Sequence, residues 1–205
     1  LATIQANAQS LQTIITPGSE QADLLADLLA GCKRAKRAID QMLELARLEH
    51  DLQADDIQSI NLAELVRQEV ALLLPTAQQK QLEVELEAPD VLTITSREAI
   101  LKTALTNLLS NAVKFSPVSG RVRVSVSQTA STAIVRIEDS GAGLKSDQIQ
   151  RLGERFFRVD TNTPGTGLGW SIVQQCVQLL QSQIQVLPKE TLGGLLVELK
   201  LPLTR

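Results

Sequence analysis

The sequence predicts an α+β protein: a helical hairpin, then an α/β sandwich with one mixed sheet and helices on one face. Three observations lead there. Apolar residues recur at alternating spacings of three and four through the first fifty positions, the rhythm of a coiled-coil seam. From about Asn61 the period changes, and residues 121–127 alternate strictly, with Val122, Val124 and Val126 on one side. That is the signature of a strand with one buried face. Helical stripes recur between such stretches, and this order places helices over one sheet.

Taken in order, Leu1, Ile4, Ala8, Leu11 and Ile15 form the first seam. After the breaker Thr16-Pro17-Gly18-Ser19, it resumes through Leu25, Leu28, Cys32, Ala35, Ile39, Met42 and Ala46. A hairpin cannot bury so long a seam alone, so residues 1–50 are expected to pair as a homodimeric four-helix bundle. Packing on the chain's own C-terminal domain is the alternative. The pattern is already running at Leu1, so the first helix is expected to be truncated from something longer. Residues 51–60 are polar enough for a linker, leaving 61–205 as the second domain. There Asn61 caps a helix to about residue 74, with Glu64 in capping-box position. Strands are expected next at 82–86 and 91–95, and Ser96 caps a helix to about residue 114. Further strands are expected at 121–127, 133–139, 183–187 and 195–201, with a last helix over 168–181.

Bulk properties exclude several classes. With 43% hydrophobic residues but only three Phe and one Trp, the core must be aliphatic. A net charge of −3 offers no broad capture of nucleic acid. Cys32 and Cys176 fit no metal-ligand spacing and read as free thiols of a reducing compartment. No apolar run approaches the ~20 residues that span a bilayer, so no membrane contact by this stretch is expected.

Polar residues carry the chemistry. Asn107, Asn111 and Lys114 stand at i, i+4 and i+7, on a face apart from the stripe of Leu101, Leu105, Leu108 and Ala112. An amide oxygen suits a hard cation such as Mg2+ and an ammonium suits phosphate; an ordinary solvated face explains the line equally well. Asp139 shares parity with Ala133, Val135 and Ile137, so its carboxylate points with apolar side chains and needs a donor. The exocyclic amine of adenine is one, and Gly141 and Gly143 would let backbone approach a planar base; a tight turn is the alternative. Gly165-Thr166-Gly167-Leu168-Gly169 opens the final helix, where backbone N–H groups make an anion site. Between the glycine clusters, Glu154-Arg155-Phe156-Phe157-Arg158 fits a lid anchored by its two Phe, or an amphipathic surface helix.

In order and spacing, these signals resemble the Bergerat-type ATPases and, within them, the sensor histidine kinases of two-component systems. Asn107-Leu108-Leu109-Ser110-Asn111-Ala112-Val113-Lys114-Phe115-Ser116 is similar to the N box. Glu138-Asp139-Ser140-Gly141-Ala142-Gly143-Leu144 resembles the G1 box, residues 154–158 the F box and residues 165–169 the G2 box. Gln41-Met42-Leu43-Glu44-Leu45-Ala46-Arg47-Leu48-Glu49 resembles the second dimerisation helix.

The resemblance implies ATP and Mg2+ as ligands. Asn111 would hold the metal, with Asn107 supporting it or the phosphates. Lys114 would meet phosphate, Phe115 would lie against adenine and Asp139 would bind its amine. Gly141 and Gly143 would shape the base pocket; Gly165, Thr166, Gly167, Leu168 and Gly169 would wrap the phosphates. Arg155 and Arg158 would support the γ-phosphate or contact the bundle during transfer. It also implies a homodimer through the hairpin, a response regulator receiver domain as partner, and a cytoplasmic segment of a bacterial inner-membrane protein.

Two departures matter. The family's phosphoacceptor histidine lies in a box that is absent here. Leu1-Ala2-Thr3-Ile4 resembles the residues just C-terminal to that box, so the acceptor is expected upstream of Leu1. The chain's one histidine, His50, reads as a solvated helix-end residue rather than an acceptor, and self-phosphorylation by this stretch is not expected. Bergerat-type hydrolases such as gyrase place a Glu four residues before the metal Asn, where this chain has Asn107. That disfavours rapid hydrolysis. A dimerising scaffold that no longer binds ATP is the remaining alternative.

Overall fold

A computed structural model of the chain describes residues 11, 19–50, 57–154, 156–159, 166–187 and 193–203. The first hairpin helix lies outside the described residues but for Leu11. The second is α1 (Glu20–His50), whose start is marked by Ser19 accepting from the Ala22 N–H on its hydroxyl (3.3 Å) and carbonyl (2.9 Å). Leu25 and Leu29 of α1 are buried, while Leu28, Ile39 and Met42 stand about half exposed.

The remaining elements are β1 (Gln58–Asn61), α2 (Leu62–Gln79), β2 (Glu83–Glu87), β3 (Thr93–Ser96), α3 (Glu98–Phe115), β4 (Arg121–Gln128) and β5 (Thr132–Asp139). After them come α4 (Ser146–Gln150), α5 (Gly169–Leu179), β6 (Gln183–Leu187) and β7 (Leu196–Pro202). Five strands form one mixed sheet in the order β2-β4-β5-β7-β6, parallel between β2 and β4 and antiparallel elsewhere. The α+β architecture predicted for this part of the chain is observed. β1 and β3 form a separate antiparallel ribbon, so Gln58, Ser59 and Ile60, read as linker, are strand residues. α1 contacts α5.

The sheet has two different faces because its side chains alternate. Inward, Val122, Val124, Val126, Ala133, Val135, Ile137, Leu199 and Leu201 are buried with Leu62 and Val66 of α2, Leu101 and Leu105 of α3, and Ile172 and Val173 of α5. Burying side chains of this size contributes about 1.5–3 kcal/mol each. Outward runs a row of cross-strand ion pairs: Arg121 to Glu83 (2.7 Å), Arg123 to Glu85 (2.7 Å) and Arg136 to Glu198 (2.6 Å). Exposed pairs such as Arg121 to Glu83 stabilise little, whereas Glu198 is buried and needs its cation.

Three local details differ from expectation. α2 continues past Pro75 to Gln79, because Ala77 is 1% exposed and its carbonyl accepts from the N–H groups of Lys80 and Leu82. Ser96 does not cap α3. It pairs with Gln58 as the last residue of β3, and Arg97 takes the cap position with its side chain turned instead to the Leu179 carbonyl (3.4 Å). Glu69, 2% exposed, accepts from the Thr106 hydroxyl (2.6 Å), a link between α2 and α3 that periodicity does not reveal.

Asn61 fulfils its role twice: its Oδ1 accepts from the N–H of Glu64 and of Leu92, each at 3.3 Å. Loss of a helix cap costs ~0.5–2 kcal/mol. Asn61→Ala should therefore lower the unfolding free energy by about 1–2 kcal/mol in urea titration, and a loss below ~0.3 kcal/mol would show that neither bond contributes.

Candidate functional site

α3 is apolar over most of its circumference, yet Asn107, Asn111 and Lys114 are all half-buried along one line. The Asn107 Nδ2 donates to the Thr103 carbonyl (2.9 Å), which fixes the amide so that its oxygen faces away from its own helix turn. What it faces is the start of α5. A Cβ built on Gly169 would lie 3.2 Å from Asn107 Oδ1, 3.7 Å from Asn111 Nδ2 and 3.9 Å from Asn111 Oδ1. The glycine thus lets a helix N-terminus, with its unpaired N–H groups, come up against both amides.

Asp139 ends β5 on the inner face and is 7% exposed. Its Oδ1 accepts from the backbone N–H of Gly141 (2.8 Å) and of Leu195 (3.3 Å). Burial pushes the carboxyl above its ordinary range, opposed by those two N–H groups, and neighbouring Glu138 adds to the rise. Gly141 also packs on the end of α3, where a Cβ would sit 2.8 Å from the Phe115 carbonyl oxygen. Phe115 itself is 47% exposed, with the Lys114 Nζ 4.5 Å above its ring. Gly143 adopts a left-handed φ of 68°.

The segment between the glycine clusters closes on the second of them through backbone rather than rings. The Phe156 N–H donates to the Gly167 carbonyl (3.1 Å), and Gly167, at φ 76°, has no room for a side chain beside the Phe156 backbone. A lid would use the Phe156 ring as an anchor, but that ring is 54% exposed. Phe157 is half-buried beneath Arg151, whose guanidinium lies 4.2 Å from the ring centre and pairs with Glu154 (2.9 Å). Thr166 Oγ1 accepts from the Leu168 N–H (3.3 Å), and Leu168 is buried. Arg158 is half-buried farther along the same segment. Arg155 and Gly165 lie outside the described residues.

Two residues missed at the sequence level belong here. Gly194 backs Asp139 so closely that a Cβ would strike its carbonyl and carboxylate oxygens. The Gly193-Gly194 pair before a strand was a readable signal. Lys80 reaches the carbonyls that end α3, and nothing in the sequence marks it.

The raised carboxyl gives a pH signature. Folded Asp139 holds its proton to higher pH than the ordinary 3.8, so it costs stability as pH climbs from that value through its raised one. Asp139→Asn removes the cost and keeps an oxygen acceptor. The melting temperature of the ligand-free variant, minus that of the wild type, should shrink as pH falls from neutral toward 3.8. A difference that grows in acid would contradict the assignment.

Comparisons with known proteins show the family. The model of the histidine kinase-, DNA gyrase B-, and HSP90-like ATPases matches residues 96–205. The sensor protein QseC of Escherichia coli (strain K12) is 38% identical over 157 residues, covering 76% of this chain and 34% of that protein. The sensor protein kinase PmrB of Pseudomonas aeruginosa is 29% identical over 207 residues, covering 100% of this chain and 43% of that protein. The structure of the mycobacterial sensor histidine kinase MprB matches with a TM-score of 0.64 at 27% identity, over 72% of this chain and 97% of that one. The chain thus spans less than half the length of the two sensor proteins it matches. It belongs to the histidine kinase-, DNA gyrase B-, and HSP90-like ATPases, and the relatives it matches within them are sensor histidine kinases.

Proposed function

We propose that this chain is the catalytic portion of a two-component sensor histidine kinase, binding Mg2+ and ATP for phosphoryl transfer to a histidine other than His50 and onward to a receiver domain. The observation that carries it is the meeting of Gly169 with Asn107 and Asn111 on α3, whose far end packs at Phe115 on Gly141, two residues past the inward carboxylate of Asp139. Phosphoryl transfer is chiefly positioning and charge stabilisation, and each part of the site serves one of these. Asp139 Oδ1 is occupied by two backbone donors, leaving Oδ2 to accept from the adenine amine. Phe115 offers a half-exposed ring to the base. Lys114 brings a cation to the phosphates, and the N–H groups at the start of α5 bind their oxygens.

The donor set fits magnesium. Asn111, with Asn107 beside it, offers uncharged hard oxygen, and no cluster of three His, Cys, Asp or Glu competes among the described residues. Magnesium bound by few protein ligands and by phosphate oxygens is its usual arrangement with nucleotides. When bound it would neutralise phosphate charge. Arg155 and Arg158 would support the γ-phosphate.

The half-exposed stripe of Leu28, Ile39 and Met42 on α1 supports homodimerisation through the hairpin. Among the described residues no helix is long and apolar enough to cross a membrane. A cytoplasmic position beneath an inner-membrane anchor in the parent protein is proposed from the sensor proteins it resembles.

Thermal melting tests the site. Ligand at ~100 times its dissociation constant adds ~2.7 kcal/mol to stability, so saturating Mg-ATP should raise the melting temperature clearly. Asn111→Ala and Asp139→Ala should each abolish the rise. An unchanged rise in both variants would refute the assigned pocket. Incubation with γ-labelled ATP should leave His50 unlabelled; stable label there would overturn its exclusion as acceptor.

A further inference from the structure

We propose that Lys80 is a positioning residue for the nucleotide site: its ammonium locks the last turn of α3 and so sets Lys114 and Phe115 against Gly141. The inference deepens the ATP assignment of that site and rests on it.

Lys80 Nζ donates to three backbone carbonyls, those of Val113 (3.0 Å), Lys114 (2.9 Å) and Ser116 (2.6 Å). An ammonium has three N–H donors, so all are spent on this one turn. A helix leaves its last four carbonyls without partners and carries partial negative charge there. Lys80 answers both. The carbonyl between these, on Phe115, is the one that Gly141 packs against. Four successive carbonyls are therefore divided between one cation and the glycine that lies two residues past Asp139. Releasing the three that Lys80 holds frees the Phe115 carbonyl to move relative to Gly141.

Lys80 is itself held in place. It caps α2, its N–H donating to Ala77 O (3.1 Å), while its own carbonyl accepts from the Ser119 N–H (3.0 Å). The Glu83 N–H then donates to Gly120 O (2.9 Å), and Glu83 pairs with Arg121 as β2 and β4 begin. Gln81 and Ser119 both adopt left-handed backbone, at φ 56° and 58°, and the Ser119 hydroxyl meets Gln81 Oε1 at 3.2 Å. Non-glycine residues hold that conformation where surrounding structure fixes it. Beyond Gly120, the Arg121 N–H donates to Ser140 Oγ (2.7 Å), and Ser140 precedes Gly141. The path from Lys80 through the end of α3, the 116–120 turn and Ser140 returns to Gly141. It is a closed circuit around the base end of the site.

A residue that merely stabilised the fold would change the melting temperature and leave the affinity of the folded protein alone. A positioning residue changes affinity, because a frayed turn leaves only a fraction of molecules competent to bind. The test is calorimetric titration of the full chain with Mg-ATP. Lys80→Met should weaken binding about tenfold, as a competent fraction of about one tenth requires. Lys80→Arg, which keeps the cation and several donors, should bind within about threefold of wild type. Arg136→Met, which breaks an ion pair on the far face of the sheet, should bind as wild type does even if it melts earlier.

Wild-type affinity in Lys80→Met would overturn the role, as would Lys80→Arg binding as weakly as Lys80→Met. Should Lys80→Met fail to fold, Lys80→Gln takes its place: weakening by at least about threefold is expected, and wild-type affinity would overturn the proposal. Absence of binding by the wild type would overturn the ATP assignment and this role with it. Wild-type binding that Lys80→Met leaves unaltered would remove this role alone.

Discussion

α5 meets α3 at the level of Asn107 and Asn111 with a first residue that has no side chain, which leaves both amides facing its backbone. A Cβ on Gly169 would already press on the Asn107 oxygen at 3.2 Å, and a side chain there would displace the amides from the helix start. The contact brings polar groups of three kinds into one space: side-chain amides, an ammonium one turn on, and the unpaired N–H groups of a helix start. Buried polar groups are costly unless partnered, and the Asn107 amide is partly satisfied by its own helix through Thr103. Its oxygen and the Asn111 amide remain directed at the α5 terminus. A polyphosphate with its cation is the ligand that such a set suits.

The sheet supplies the carboxylate. Its inner face is aliphatic from β4 to β7, with Asp139 the charged residue at its edge, beside Val122 on β4. The carboxylate is tolerated because Gly141 and Leu195 donate to it and Gly194 makes room behind it. Burial still pushes its pKa upward, a sign that keeping the charge there costs the folded protein some stability. On the outer face the alternation gives Arg and Glu in register across strands, so a five-stranded sheet is covered on one side by helices and on the other by charge.

Much of this was legible in the residues. Strand parity placed Asp139 inward, and helical spacing put Asn107, Asn111 and Lys114 on one line. Asn61 announced its cap with Glu64 three residues on, and β6 spans the 183–187 expected for it. What escaped were consequences of long-range pairing. Ser96 has the chemistry of a cap, but pairing with Gln58 draws it into a strand. Pro75 is a helix breaker by propensity, yet the buried Ala77 beyond it holds the last turn. Lys80 looks like any solvated lysine until the 80–82 and 116–120 turns are laid side by side. The ring of Phe156 has the size of an anchor, whereas its backbone makes the attachment to Gly167.

The central claim is that residues of α3, the Asp139 turn and the start of α5 make a single nucleotide pocket. A crystal structure of the chain with a non-hydrolysable ATP analogue and magnesium tests it most directly. The account predicts the adenine amine on Asp139, the ion on the Asn111 amide oxygen and phosphate oxygens at the N–H groups that open α5. An analogue bound elsewhere, or one whose base lies away from Asp139, would contradict it.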